Sequence, residues 1–203
     1  MFVNFYDCVS ELTMPQAELK AHSLAEANLY FQATACPSCG SGPVASVHAD
    51  DQAPDKSGVI RRTEVGLCAS CGSELCAVFQ IPPASEVADQ TTINPTDESS
   101  RIIDLGQWIT LAHVFAERAA KSTDPRHARR LHLQAAQCVT EALKFYDDPD
   151  NDLPPPEAFF CELSRERFRT HPQQFSRQRL LHERSKLPTT SEHGGGRNEA
   201  RQK

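Results

Sequence analysis

The chain has 203 residues, of which 39% are hydrophobic and 24% charged, with a formal net charge of −6. That apolar content suffices for one mid-sized domain or two small ones, and no apolar run approaches the roughly 20 residues a bilayer requires, so no membrane-spanning segment is expected. The charge is uneven: residues 1–100 hold thirteen acids against four bases and residues 101–203 hold fourteen against seventeen, a difference in sign that predicts two units.

Residues 1–13 show no period and lack the basic start and apolar centre of a secretory signal, which makes the cytoplasm the expected location. Met14 is a candidate native start. Residues 1–35 read as an N-terminal segment with one short helix, because Ser23 and Glu26 have capping-box spacing and Leu24, Ala27, Leu29, Tyr30 and Phe31 supply an apolar face. From residue 36 to 81 the texture turns to short β-like runs at 44–49, 59–67 and 75–81, separated by the turn-rich stretch 50–58 and a cysteine pair. Three antiparallel strands are predicted. Residues 82–100, rich in Pro, Ser, Thr and acids, read as a linker.

A four-helix segment is predicted over 101–187. Its first helix begins near Arg101 after Ser99 and Ser100, with Leu105, Trp108, Ile109, Ala112, Phe115, Ala116 and Ala119 on a broad buried face. Asp124 and Pro125 supply an N-cap and a first-turn proline for a second helix ending near Tyr146, with Ala128, Leu131, Ala135, Cys138, Ala142 and Phe145 in one stripe. The gap 122–124 allows only an antiparallel helical hairpin. Two thinner helices are expected at 157–169 and 173–187, divided at His171 and Pro172. Residues 188–203 read as a disordered tail.

The chemistry-bearing pattern is in the cysteines. Two Cys-x-x-Cys-Gly strings, Cys36 to Gly40 and Cys68 to Gly72, are separated by 28 residues between Cys39 and Cys68. A Cys-x-x-Cys turn converges two thiolates on one metal, the following glycine lets the backbone curl, and two such knuckles complete a tetrahedral shell with no open position for water or substrate. Metal binding then stabilises a sheet too small to bury a sufficient core. These knuckles and their β-like surroundings resemble the zinc-ribbon, or rubredoxin-like, family over residues 36–81. The resemblance implies Cys36, Cys39, Cys68 and Cys71 as ligands of Zn2+. Iron is the competing metal, but no Phe, Tyr or Trp lies between Cys39 and Cys68 to wrap an iron centre as rubredoxin-like chains do. Redox-active thiols would need a pair at a helix N-terminus in a βαβ setting, which the flanking strands do not offer.

Other signals are weaker. Alternation along 75–81 places Cys76 on the opposite strand face from Leu75, Ala77, Phe79 and Ile81, as a small buried residue. Cys138 and Cys161 read as core filler, and Cys8 carries no interpretation. Asp148, Asp150 and Asp152 imitate a calcium loop, but Leu153 and Phe159 stand where glycine and glutamate are required. His113 and His132 have no second histidine or cysteine at helical spacing and read as surface or cap residues. Trp108 reads as core. Alanines at 128, 135 and 142 faintly resemble a tetratricopeptide-like hairpin, with no second copy. Arg165, Arg167, Arg169, Arg177, Arg179, Arg184 and Lys186 are interspersed with glutamates and read as a solvated face rather than a binding surface.

The sequence therefore predicts an α+β protein: a three-stranded zinc ribbon followed by an all-α helical-hairpin segment. Its expected role is non-catalytic, as a zinc-stabilised binding or adaptor protein whose partner is a protein. The alternatives are a nucleic-acid-associated ribbon, for which the ribbon half offers only Arg61 and Arg62 as a basic pair, and a rubredoxin-like iron electron carrier.

Overall fold

The structure is a computed structural model that describes residues 18–41, 44–83, 92–148 and 150–189. Cys8, Met14 and residues 190–203 of the expected tail lie outside the described residues. The described residues form a mixed α+β fold, a four-stranded sheet and five α-helices, in two compact units, residues 1–89 and 90–203.

The first unit contains β1 (Leu19–Lys20), α1 (Leu24–Ala33), β2 (Val44–Asp51), β3 (Ile60–Cys68) and β4 (Glu74–Ile81). The sheet order is β1-β4-β3-β2. β3 pairs antiparallel with both neighbours, from Ile60↔Ile81 to Leu67↔Glu74 on one side and Val44↔Cys68 to Asp51↔Arg62 on the other, with an irregularity between Ser46 and His48. The three predicted strands are joined by a fourth: β1 lies parallel to β4, with Leu19 opposite Phe79. Two residues are too few to show the alternation by which a strand is read from sequence.

Ser23 caps α1, its side chain accepting from the Glu26 amide at 3.0 Å. Ala27, Leu29 and Phe31 are buried with Val44 and Phe79, and Tyr30 meets Phe79 edge-on at 5.4 Å between centroids. Gly66 in β3 is what admits this layer: a Cβ there would lie 2.6 Å from Val44 and 2.9 Å from Phe31. Arg62 ties the helix to the sheet, donating to Asn28, Asp51 and the buried Glu64. Glu26, fully buried, has an oxygen 3.1 Å from His22 Nδ1. In the turn from β2 to β3, Asp55 accepts from the amides of Ser57 and Val59, and Gly58 takes a φ of 82°.

The second unit holds α2 (Leu105–Lys121), α3 (Pro125–Leu143), α4 (Glu162–Thr170) and α5 (Arg177–Ser185), with 3-10 turns at Pro156–Ala158 and Pro172–Phe175. α2 and α3 share the most extensive helix packing. Leu105, Trp108, Leu111, Ala112, Phe115 and Ala119 are buried on α2, as are Leu131, Ala135, Cys138 and Ala142 on α3, whereas Ala116 and Ala128 are only half-buried.

Helix starts differ from the sequence expectation where a stronger cap lies downstream. α2 begins at Leu105 rather than near Arg101, because Ser100 Oγ accepts from the amides of Ile102 and Ile103 in a preceding turn and Asp104 forms a reciprocal capping box with Gln107. α4 starts at Glu162 rather than 157, after the proline-led 3-10 turn, and α5 at Arg177 rather than 173, after the second such turn. Residues 92–100, read as linker, form ordered structure in the second unit: Ile93, Asn94 and Ser100 are buried, Asn94 bridges Glu98 and Thr96, and Lys144 Nζ donates to the carbonyls of Asn94 and Thr96. Polar composition concealed this packing, since the polar groups satisfy one another.

Candidate metal centre

Residues 36–41 and 68–73 adopt the same local structure. In each, the first cysteine's amide donates to the carbonyl of the serine five residues on, Cys36 to Ser41 at 2.6 Å and Cys68 to Ser73 at 2.9 Å. The glycine amide returns to the first cysteine's carbonyl, Gly40 to Cys36 at 2.8 Å and Gly72 to Cys68 at 2.9 Å. Both glycines sit at positive φ, 69° and 72°, the left-handed region in which a side chain is strained.

β3 ends on Cys68, directly opposite Val44 of β2, so the sheet register carries the second knuckle to the end of the ladder beside the first. The Sγ atoms of Cys36, Cys39, Cys68 and Cys71 all lie within 4.8 Å of one another. Cys36 and Cys71 are 3.6 Å apart at sulfur, as are Cys39 and Cys68. Four sulfurs at ~2.3 Å from a tetrahedral centre stand about 3.8 Å from one another, so both separations suit metal coordination, whereas a disulfide requires about 2.05 Å. Cys36 and Cys68 are buried and Cys39 and Cys71 exposed, so each knuckle contributes one inner and one outer sulfur.

The surroundings favour thiolate at Cys71 and Cys68, whereas Cys39, despite backbone and side-chain bonds with Ser41 that lower it, is raised to about 11 by its thiol contacts with Cys71 and Cys68. Cys71 is lowered to about 6 by the side chain of Ser73, 3.2 Å away, and by the Ser73 backbone amide, and Cys68 is lowered by the amides of Cys71 and Ser70. Charge-assisted bonds to sulfur of this kind orient and tune metal ligands. Ser41 and Ser73 were missed in the sequence reading. Their signal was the extension of the repeat by one residue, Cys-Pro-Ser-Cys-Gly-Ser and Cys-Ala-Ser-Cys-Gly-Ser.

The remaining described cysteines stand apart. Cys76 is half-buried in β4 opposite Val65. Cys138 is fully buried and its thiol is pushed up by burial. Cys161, read as core filler, is instead the N-cap of α4, its Sγ accepting from the Ser164 amide. His113 is exposed, with Nε2 3.6 Å from a Glu183 oxygen. Asp152 caps α5. Of the basic residues on the last two helices, Arg165, Arg169 and Arg179 pair with Glu162, Glu166 and Glu183, Arg167 donates to Thr110 and lies over the Phe175 ring, and Arg184 donates to Thr140. No helix among the described residues is long and apolar enough to cross a membrane. No family model matches the chain, and no curated protein or solved structure matches it.

Proposed function

We propose that residues 36–81 form a zinc ribbon and that the protein is a non-catalytic, zinc-stabilised binding protein acting through contact with another protein. The observation that carries this reading is the convergence of four thiols on one point, two of them buried. Hard cations prefer oxygen, whereas an all-sulfur tetrahedral set suits zinc or iron. Zinc is favoured because the segment between the knuckles offers no aromatic shell. Four protein ligands leave no open coordination position, which is the arrangement of structural rather than catalytic zinc. Thiols used as ligands also suit a reducing compartment such as the cytoplasm.

A protein partner is favoured over nucleic acid because most of the arginines of α4 and α5 are engaged by the chain's own glutamates, hydroxyls and rings. Metal analysis and an absorbance spectrum of the purified protein test the central claim. One zinc per chain and no colour is expected, with loss of metal in Cys39→Ser and Cys71→Ser. A red, iron-loaded protein, or full zinc retention in both variants, refutes it.

A further inference from the structure

The first two turns of α3 carry three arginines close together. Arg126, Arg129 and Arg130 form no ion pair with a carboxylate among the described residues, the first turn holds no acidic side chain, and Arg130 instead reaches the ring of His127 at 2.8 Å. Cations at the start of a helix oppose its macrodipole, which favours acids there. Function commonly maintains arrangements that stability alone disfavours.

Beside these residues α3 and the end of α5 line an open groove of about 730 Å³. Ala128, Leu187 and Pro188 give it apolar surface, and Arg129, His132 and Lys186 give it cationic or titratable groups. None of its lining residues carries a carboxylate or an aromatic ring larger than imidazole. The α3 N-terminus is already capped by Asp124, which accepts from the Arg126 amide at 2.9 Å, so a ligand here is held by side chains.

We infer that this groove docks an acidic segment of a partner protein, its carboxylates paired with Arg129 and Lys186 and an apolar side chain between them resting on Ala128, Leu187 and Pro188. Guanidinium groups match carboxylates in bidentate geometry. A nucleic acid makes less use of the site, because no Phe, Tyr or Trp lines it for base stacking and a phosphate backbone has no use for the apolar surface. The inference rests on the protein-partner reading above and names the chemistry of that partner.

The test titrates the full-length metal-bound protein with a fluorescent peptide alternating Glu and Leu, an all-Glu peptide, and single- and double-stranded DNA, each at low and high salt. The Glu/Leu peptide should bind tightest and weaken with salt, Arg129→Glu and Lys186→Glu should each weaken it about tenfold, and Arg169→Ala should leave it unchanged. Arg129→Gln should weaken binding while keeping or raising the melting temperature, where a structural role would lower it. Peptide binding that ignores both charge reversals, or no peptide binding at low salt, overturns the groove and leaves the protein-partner reading standing. DNA binding that exceeds both peptides and falls in the same variants overturns the groove assignment and that reading together.

Discussion

Ser164 Oγ donates to Asp104 Oδ1 across 2.8 Å, joining the starts of α4 and α2 from positions 60 apart in sequence. Asp104 is fully buried, and the same carboxylate accepts from the Gln107 amide at 2.8 Å and, through Oδ2, from the Cys161 amide at 2.9 Å. One side chain therefore caps α2 and receives the residue that caps α4. Asp104→Ala leaves these donors unmatched and should cost about 3 kcal/mol, combining a lost cap with buried unsatisfied groups. Gly106→Ala attacks the same contact sterically, since its Cβ would lie 2.5 Å from Ser164 Oγ. Urea unfolding followed at the helical dichroism band checks both, and a midpoint unchanged in either variant contradicts the arrangement.

Removing the metal of the proposed ribbon should act locally. A strong chelator is expected to abolish protection of the β2, β3 and β4 amides while leaving the helical dichroism largely intact, because zinc binding energy in ribbons is folding energy. Sheet amides that stay protected after complete metal removal would show that the first unit's apolar layer is sufficient without it.

Gly66→Ala should destabilise the first unit by about 1–3 kcal/mol, the usual range for overpacking a filled site. The cause is the contact with Val44 and Phe31, so Gly66→Ala combined with Val44→Ala should recover part of the loss. Non-additivity in that pair, measured as a double-mutant cycle, is the expected signature.

Asp152 makes the start of α5 sensitive to acid. Its carboxylate accepts from Ser176 Oγ at 2.6 Å and from the Gln178 amide at 2.8 Å, and the Ser176 hydroxyl, followed by the Gln178 amide, holds it below the ordinary carboxylate value. A lowered folded value means that the contribution is present above the ordinary carboxylate range and lost as pH falls through the folded one. The stability lead of the natural protein over Asp152→Asn should therefore shrink progressively in acid. A lead that stays constant with pH would assign the loss to shape rather than charge.

The sequence revealed most where a short string fixes local geometry. The two cysteine knuckles are set by glycine placement and spacing, and α3 by Asp124 and Pro125, so these were legible before any tertiary contact was known. It revealed least where a feature depends on residues far apart. Parallel pairing of Leu19 with Phe79, the receipt of Cys161 by Asp104 and the clamp of Lys144 on residues 94 and 96 are satisfied only in three dimensions. Cys161 shows the limit of pattern reading: periodicity placed it on a core stripe, but the proline-led turn before α4 shifted the helix start and made it a cap. Along the last two helices the arginine count likewise overstates the free charge, because Arg165, Arg169 and Arg179 pair with neighbouring glutamates.

Trp108, the single tryptophan of the chain, is fully buried, and its indole N–H has no hydrogen-bond partner among the described residues. An indole so enclosed fluoresces at short wavelength and shifts to the red when water reaches it, so the emission colour reports residues 90–203 alone. Residues 1–89 contain no tryptophan and are silent in that channel, whereas the buried thiols of Cys36 and Cys68 become reactive as the knuckles open. Emission and labelling of Cys36 and Cys68, told apart from Cys138 and Cys161 by peptide mapping, thus give each unit its own signal in one denaturant titration. Separate midpoints would mean that the chain unfolds in two steps, so that no single unfolding free energy describes it.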